Sequence, residues 1–370
     1  MIPVILVHHS TISGRKDRIS ITKFSIFNIS IIINAISIRA AGDDDKKVYT
    51  ELDENVRNIQ DSKDACIGVE GETEPNEMIE YSRATTKPGK WIKASDGRWW
   101  YKHNDGTYTK NGWEYIDGKW YYFDSNGWMK TGWIKVNNKW YYLNSSGAMV
   151  VGWQKIGSTW YYFNSSGVMQ TGWKKINNRW YFLESNGAMR TAALTQGGSN
   201  YTFQSSGALN TTRLGVQRQR QERTNWCWAA SCVMVGRYDL PASLQTITQT
   251  SVVLHVKGEI INLAGNGSEE VRGINHASQS LKHATSLERT LSFTEVLNTI
   301  DNRHPFIVRM RWDGGGGHAV VCAGYRYSDS SLYLIDPWEN TASRYYSRNS
   351  LVRGTSIATG TGQYRFSVIY

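Results

Sequence analysis

Between residues 84 and 213 the chain repeats itself every 20 residues, and that period constrains the fold more than any other feature. Gly112-Trp113, Gly132-Trp133, Gly152-Trp153 and Gly172-Trp173 are evenly spaced. So are Trp120-Tyr121-Tyr122-Phe123, Trp140-Tyr141-Tyr142-Leu143, Trp160-Tyr161-Tyr162-Phe163 and Trp180-Tyr181-Phe182-Leu183. Met129, Met149, Met169 and Met189 complete the units. A divergent unit opens the array at Trp91 to Tyr101, and another, lacking both Trp, closes it at Tyr201 to Leu209. Each unit reads as two short strands around a polar turn such as Asp117-Gly118 or Asn137-Asn138, the chemistry of tight hairpins. One such hairpin cannot bury its own aromatics, so neighbours must stack, with the divergent units as end caps.

Tryptophan separates this array from the rest of the chain. Of 16 Trp, 12 lie between Trp91 and Trp180, and the other four are Trp226, Trp228, Trp312 and Trp338. A single core would not segregate Trp in this way, so at least two modules are expected. Upstream, residues 24–38 are a mostly apolar stretch preceded by Arg15, Lys16, Arg18 and Lys23 and followed by Arg39-Ala40-Ala41-Gly42. Residues 1–42 thus resemble a secretory signal peptide. Residues 43–83 carry 13 acidic and 5 basic residues and few apolar ones, and read as a flexible linker. Residues 84–213 carry 16 basic and 6 acidic residues, the main source of the net charge of +10. That charge is dispersed among aromatics at fixed spacing, which argues against nucleic acid and suits an anionic polymer. The four Cys form no CxxC or Cys/His ligand spacing, so no metal site or disulfide scaffold is expected. No apolar run is long enough for a mature membrane span.

Strand alternation puts Trp120 and Tyr122 on one face of a hairpin and Tyr121 and Phe123 on the other. One face can supply the core. The other can line a groove that the next Gly-Trp, Trp133, closes. An aromatic cage with Met beside it suits a quaternary ammonium, held by cation–π attraction; the alternative is that all these rings are core. The pattern GW-x6-WYY-x6-GxMxTGW resembles the choline-binding repeats of Gram-positive surface proteins. That resemblance implies a β-solenoid that holds choline head groups of wall teichoic acid between hairpins. Its cage residues would be Trp113, Trp120, Tyr122, Trp133, Trp140, Tyr142, Trp153, Trp160, Tyr162 and Trp173. Glycan-binding repeats share the YYF and GW elements and are the alternative; Trp in both slots and Met before TGW favour choline.

Residues 214–370 suffice for one compact core. Gln221-Glu222-Arg223-Thr224-Asn225-Trp226-Cys227-Trp228-Ala229-Ala230 predicts a helix starting near Cys227, where the helix dipole favours a thiolate. Ser292-Phe293-Thr294-Glu295 predicts a capping box, and residues 305–310 a strand. Gly314 to Gly317 lead into His318-Ala319-Val320-Val321, and the turn at Ser328-Asp329-Ser330-Ser331 returns the chain to Asp336-Pro337-Trp338. Antiparallel pairing of that hairpin brings His318 to Asp336. His318 can then take the proton of Cys227 while Asp336 orients the ring. Gln221, with the Cys227 backbone N–H, can meet a developing oxyanion. Cys232 and Cys322 read as core, and Cys66 lies in the linker.

Together, Gln-x5-Cys at a helix start, Gly-His-Ala-Val on a strand and Asp-Pro-Trp across a hairpin resemble papain-fold cysteine peptidases. The string Thr-Asn-Trp-Cys-Trp-Ala-Ala is similar to the compact bacterial branch. The resemblance implies Cys227 as nucleophile, His318 as base and then acid, Asp336 as orienting group, Gln221 as oxyanion donor and Trp338 as a shield for the His–Asp contact. The expected fold is therefore multidomain: a β-hairpin solenoid over 84–213, then an α+β papain-like domain over 214–370. The expected function is a secreted, wall-anchored cysteine protease acting on a protein or peptide, without cofactor or metal. Two other readings use the same residues: a wall peptide hydrolase or amidase, and a non-catalytic adhesin with glycan-binding repeats.

Overall fold

The computed structural model describes residues 87–338 and 340–370, and the backbone of three strands nearer the N-terminus. The chain divides into two units, Met1–Asp64 and Ala65–Tyr370. In the first, Leu6–Gly14, Asp17–Ser25 and Ala35–Ile38 form an antiparallel three-stranded sheet. Apart from these strands, the signal-like segment over 1–42 and the acidic linker over 43–83 lie outside the described residues.

The second unit begins with five hairpins, each a separate two-stranded sheet. They are Gly89–Lys93 with Trp99–His103, Gly112–Ile116 with Lys119–Phe123, Gly132–Val136 with Lys139–Leu143, Gly152–Ile156 with Thr159–Phe163, and Gly172–Ile176 with Arg179–Leu183. In the last four hairpins the turns are of two residues, and Asp117, Gly118, Asn137, Asn138, Asn177 and Asn178 all have positive φ. That is the type I′ geometry whose twist matches the strands. The expected alternation is present: Tyr121, Phe123, Tyr141 and Leu143 are buried, while Trp120, Tyr122, Trp140 and Tyr142 are not.

Three contacts recur at the hairpin period and stack the units. The backbone N–H of Met129, Met149, Met169 and Met189 donates to the carbonyl of Trp99, Trp120, Trp140 and Trp160 respectively, each at 2.8 Å. The Gly-Trp indole packs edge-on to a Tyr of the next hairpin: Trp113 on Tyr141, Trp133 on Tyr161, Trp153 on Tyr181, at 4.8–4.9 Å between centroids. Each Met also lies on the turn glycine of the following unit. A Cβ on Gly147, whose φ is +82°, would sit 2.3 Å from the Met129 sulfur. The repeated Gly and Met are therefore complementary halves of one stacking contact.

The closing unit does not end the array as a free cap. Its strands β1 (Leu194–Gln196), β2 (Ser199–Phe203) and β3 (Leu209–Arg213) enter a ten-stranded sheet. The remaining strands are β4 (Thr285–Leu287), β5 (Phe306–Trp312), β6 (Gly317–Arg326), β7 (Ser331–Ile335), β8 (Arg344–Ser347), β9 (Thr355–Ile357) and β10 (Gly360–Ile369). The order is β1-β2-β3-β6-β5-β10-β4, with β7 joining β6 to β8 and β9 pairing β10. Against the sheet pack α1 (Cys227–Arg237), α2 (Gln249–Lys257), α3 (Gly267–Ala277), α4 (Phe293–Asp301) and the short α5 (Arg348–Arg353). The capping box at Ser292–Glu295 opens α4 as expected, and a second one at Asn266–Glu269 opens α3. Phe306, Ile307, Val308, Val320, Val321 and Cys322 form the buried middle of the sheet, under Val233, Val252, Ile274 and Ile300.

Trp180 fastens the last full hairpin to this domain. It occupies the slot of Trp140 and Trp160, which are 42% and 40% exposed, yet it is 5% exposed. Its Nε1 donates to Asp301 Oδ2 at 3.0 Å, and Tyr325 donates to Asp301 Oδ1 at 2.7 Å. Arg179 lies over the Tyr327 ring at 3.8 Å. Trp180→Ala should therefore cost about 3–5 kcal/mol in denaturant unfolding, as for other buried Trp truncations, whereas Trp160→Ala should cost less than about 1 kcal/mol.

Candidate functional site

Helix α1 starts at Cys227, as the sequence predicts, with Trp226 as its N-cap residue. The first backbone N–H groups of a helix have no intrahelical acceptor, so the Cys227 N–H is available beside its own sulfur. The helix is almost wholly buried and is held in place on both sides of Cys227. Trp226 and Trp228 donate their indole N–H to the carbonyls of Ile261 and Leu263, at 2.8 and 3.1 Å. Asn225 donates two hydrogen bonds to Asn262, from its backbone N–H to Oδ1 at 3.0 Å and from Nδ2 to the carbonyl at 2.9 Å. One turn into the helix, Ser231 Oγ donates to the carbonyl of Ala319, the residue after His318, at 3.2 Å. That bond sets the register of the helix against β6.

His318 lies at the start of β6 and Asp336 just beyond β7. The hairpin pairs Val321 with Ile335, so the two side chains meet across its open end. His318 Nε2 is 2.8 Å from Asp336 Oδ1, and both residues are buried. Cys227 lies within hydrogen-bonding reach of the same imidazole. Burial alone would lower the imidazole pKa, but the hydrogen bonds and charges of Asp336 and Cys227 outweigh it and push His318 up to about 9. The Asp336 carboxyl is held below its ordinary value: burial would raise it, and the His318 contact and further hydrogen bonds overcome that. Trp338 N–H donates to Oδ1 at 2.8 Å and Thr359 Oγ1 to Oδ2 at 3.0 Å.

Cys227, His318 and Asp336 thus come together as expected from sequence. Gln221 is placed differently. Its Nε2 donates to the carbonyls of Arg223 and Thr224 at 2.9 and 2.8 Å, and its Oε1 is buried without a partner. An oxyanion donor needs an amide N–H free to turn, and both here are committed to local carbonyls. Trp338 is 40% exposed, and its polar contact with Asp336 is through the backbone.

Two further residues contribute to the site. Trp312 stacks on His318, with centroids 5.8 Å apart and planes at 20°, a face that favours a charged imidazole. Arg218 holds the Asp336 loop by its backbone: Nε donates to the Asp336 carbonyl at 2.8 Å, and Nη2 to the Trp338 carbonyl and to Thr341 Oγ1. Arg218 is 118 residues from Asp336, so no spacing rule reveals it. Cys232 and Cys322 are buried free thiols, in keeping with a core role.

In the array, Trp133 and Trp140 meet at 88° with centroids 6.2 Å apart, and Trp153 and Trp160 at 87° and 6.4 Å. Tyr142 and Tyr162 sit edge-on to Trp133 and Trp153, each at 5.2 Å. These corners form within one hairpin. Lys135 Nζ lies 5.7 Å from the Trp140 ring, so this aromatic surface already accepts a cation. In the preceding hairpin Trp113 packs on Tyr122, and Trp120 on Tyr115, both at 5.2 Å. Trp173 and Trp180 form a third corner at 88°, but Trp180 is buried on Asp301 and Trp173 donates to Gln196 Oε1 at 3.0 Å.

The His318 geometry carries a pH test. With the folded value raised to about 9 from 6.5, the stability it contributes is full below pH 6.5 and is lost as pH rises through about 9. An NMR titration of the ring should place its midpoint near 9, and Asp336→Asn should move it downward. A midpoint unaltered by that substitution would show that Asp336 does not hold the charge.

A choline-binding repeat family model matches residues 110–152 and 150–191, and the peptidase C39-like family model matches residues 213–359. Choline binding protein F from Streptococcus pneumoniae is 42% identical over 33% of this chain and 42% of its own, with a TM-score of 0.31. The multimodular cell wall endolysin from phage Cp-1, solved in complex with choline, is 44% identical over 33% of this chain and 38% of its own, with a TM-score of 0.26. The autolysin LytC from Streptococcus pneumoniae is 28% identical over 37% of this chain and 36% of its own, with a TM-score of 0.22. The chain thus spans less than half the length of these structures. No curated protein matches it. The chain joins choline-binding repeats to a peptidase C39-like domain, a series of β-hairpins followed by an α+β domain of papain-like type.

Proposed function

We propose that this protein is a secreted, wall-associated cysteine peptidase whose repeats hold it on a choline-bearing polymer such as teichoic acid. The observation that carries the reading is the 2.8 Å pairing of His318 with Asp336 beside Cys227 at the start of α1. In this mechanism Cys227 Sγ attacks the carbonyl carbon of a peptide bond. The oxyanion meets the Cys227 backbone N–H. His318, kept protonated by Asp336 and faced by Trp312, passes its proton to the leaving amine. A thioester remains on Cys227. Neutral His318 then draws a proton from water, the hydroxide equivalent attacks the thioester, and the acid is released with Cys227 restored. Gln221 can serve as second oxyanion donor only by leaving one of its two carbonyls. Asp336 and Arg218 act by fixing the imidazole and its loop.

For the repeats, the open corners at Trp133/Trp140 and Trp153/Trp160 suit a quaternary ammonium. Such a cation has no hydrogen to donate and is held by ring faces. The basic charge of the array favours a polymer that carries phosphate.

Cleavage of casein, with labelling by a papain-type epoxide, should be abolished by Cys227→Ala and reduced by at least roughly 10³-fold by His318→Ala. Release of wall fragments without casein cleavage would instead support a wall peptide hydrolase. Absence of labelling in the unaltered protein would sink the enzyme reading. Retention on a choline column and release by free choline are expected, with Trp140→Ala and Trp160→Ala each eluting earlier. Retention on dextran but not choline would favour a glycan ligand.

A further inference from the structure

We propose that the cavity where the closing repeat meets helix α1 binds a phosphate ester carried on a small hydroxylated unit, with Arg237 holding the anion. The cavity has a volume of about 460 Å³, within the range of small-molecule sites. Gly198 of the closing hairpin and Gly215, Gln217 and Gln219 of the segment after β3 line one part of it. The last turn of α1, the residues Tyr238 to Pro241 that follow it, and Gln245 line the rest. The closing hairpin and the segment after β3 are pressed together at the glycines: a Cβ on Gly215 would stand 2.4 Å from the Gly198 carbonyl oxygen. The site therefore exists only because the array and the C-terminal domain are joined there.

Charge decides what it takes. Arg237 lines the cavity, its Nε is buried without a hydrogen-bond partner, and no carboxylate pairs with it among the described residues. Partial burial, with no charged neighbour to offset it, lowers its pKa, and the side chain stays in part open to solvent. Asp239 also lines the cavity, but it does not neutralise Arg237, because Arg303 holds both of its oxygens at 2.9 and 2.8 Å. The carbonyls at the end of α1 would repel an anion, but Lys282 Nζ caps those of Val235 and Tyr238 at 2.8 Å each. What remains is one positive fork facing a chamber whose polar lining is mainly glutamine amides and bare glycine backbone, beside the apolar Val233, Met234 and Leu240. A guanidinium fork matches a phosphate, and the glutamines and exposed peptide groups match hydroxyls. The chamber is much larger than a bare ion requires, so the phosphate must carry a body.

The site lies at the far end of α1 from Cys227. The helix has 11 residues, which at about 1.5 Å per residue separates the two by roughly 15 Å. It is also distinct from the aromatic corners, so neither the peptidase reading nor the choline reading is needed for it.

The test is calorimetric titration of the full chain with glycerol 3-phosphate, in saturating choline so that the array is occupied. One site per chain is expected, and Arg237→Gln should weaken it by roughly tenfold or more. The same substitution should leave the unfolding temperature nearly unchanged, since it breaks no ion pair among the described residues. A short glycerol phosphate polymer binding more tightly than the monomer would assign the site to a polymer, and equal affinities would assign it to free esters. The proposal fails if glycerol 3-phosphate gives no binding heat, if glycerol binds as well as its phosphate, or if Arg237→Gln binds as the unaltered protein does. A crystal structure grown with the ester tests the same point without a variant: phosphate on the Arg237 guanidinium supports the site, and phosphate elsewhere overturns it.

Discussion

Strand β6 is the element on which the rest of the second unit depends. Its first half pairs with β5, which carries Trp312 to the His318 ring. Its other edge pairs with β7, which delivers Asp336. Its last residues pair with β3, the end of the repeat array, through Thr211↔Arg326 and Arg213↔Gly324. Backbone pairing of one ten-residue strand thus sets the imidazole, the carboxylate paired with it and the attachment of the array. The register cannot slip by one residue without turning His318 to the other face of the sheet.

The array shows one sequence slot put to two physical uses. Trp140 and Trp160 stand half-open at right angles to their neighbours, with a ring face left for a cation. Trp180, at the same place in the period, loses its exposure to Asp301 and Tyr325. Nothing in the indole differs; what differs is that the next unit has become part of a sheet. A buried Trp needs an acceptor for its N–H, and Asp301 supplies it. The ring that would form an exposed corner elsewhere becomes the fastening between modules.

Much of the site was legible because its signals are local. A Cys opening a small-residue helix, a glycine run before a His, and a polar turn between two apolar strands each report backbone geometry within a few residues. The hairpin arithmetic from Gly317 to Asp336 then places His318 and Asp336 together without knowledge of the rest of the fold. Trp312, Arg218 and Thr359 were not legible. They reach the site through the sheet and through a loop clamp, from 6, 118 and 23 residues away in sequence, and no period links them to it. Gln221 was placed by spacing alone, and spacing does not say that its amide would turn to the carbonyls of Arg223 and Thr224.

By itself, the sequence determined the hairpins, their stacking period and the division of each strand into an inward and an outward face. Those follow from alternation and from turns that need positive φ, which are properties of neighbouring residues. It likewise determined the helix that begins at Cys227 and the hairpin that carries His318. Only the tertiary structure decided that the closing repeat is part of the ten-stranded sheet, that Trp180 is buried while Trp160 is not, and that Arg237 is left without a carboxylate. Each of these depends on which distant surfaces exclude water from a side chain and which acceptors they bring, and that is set when the two modules close on each other.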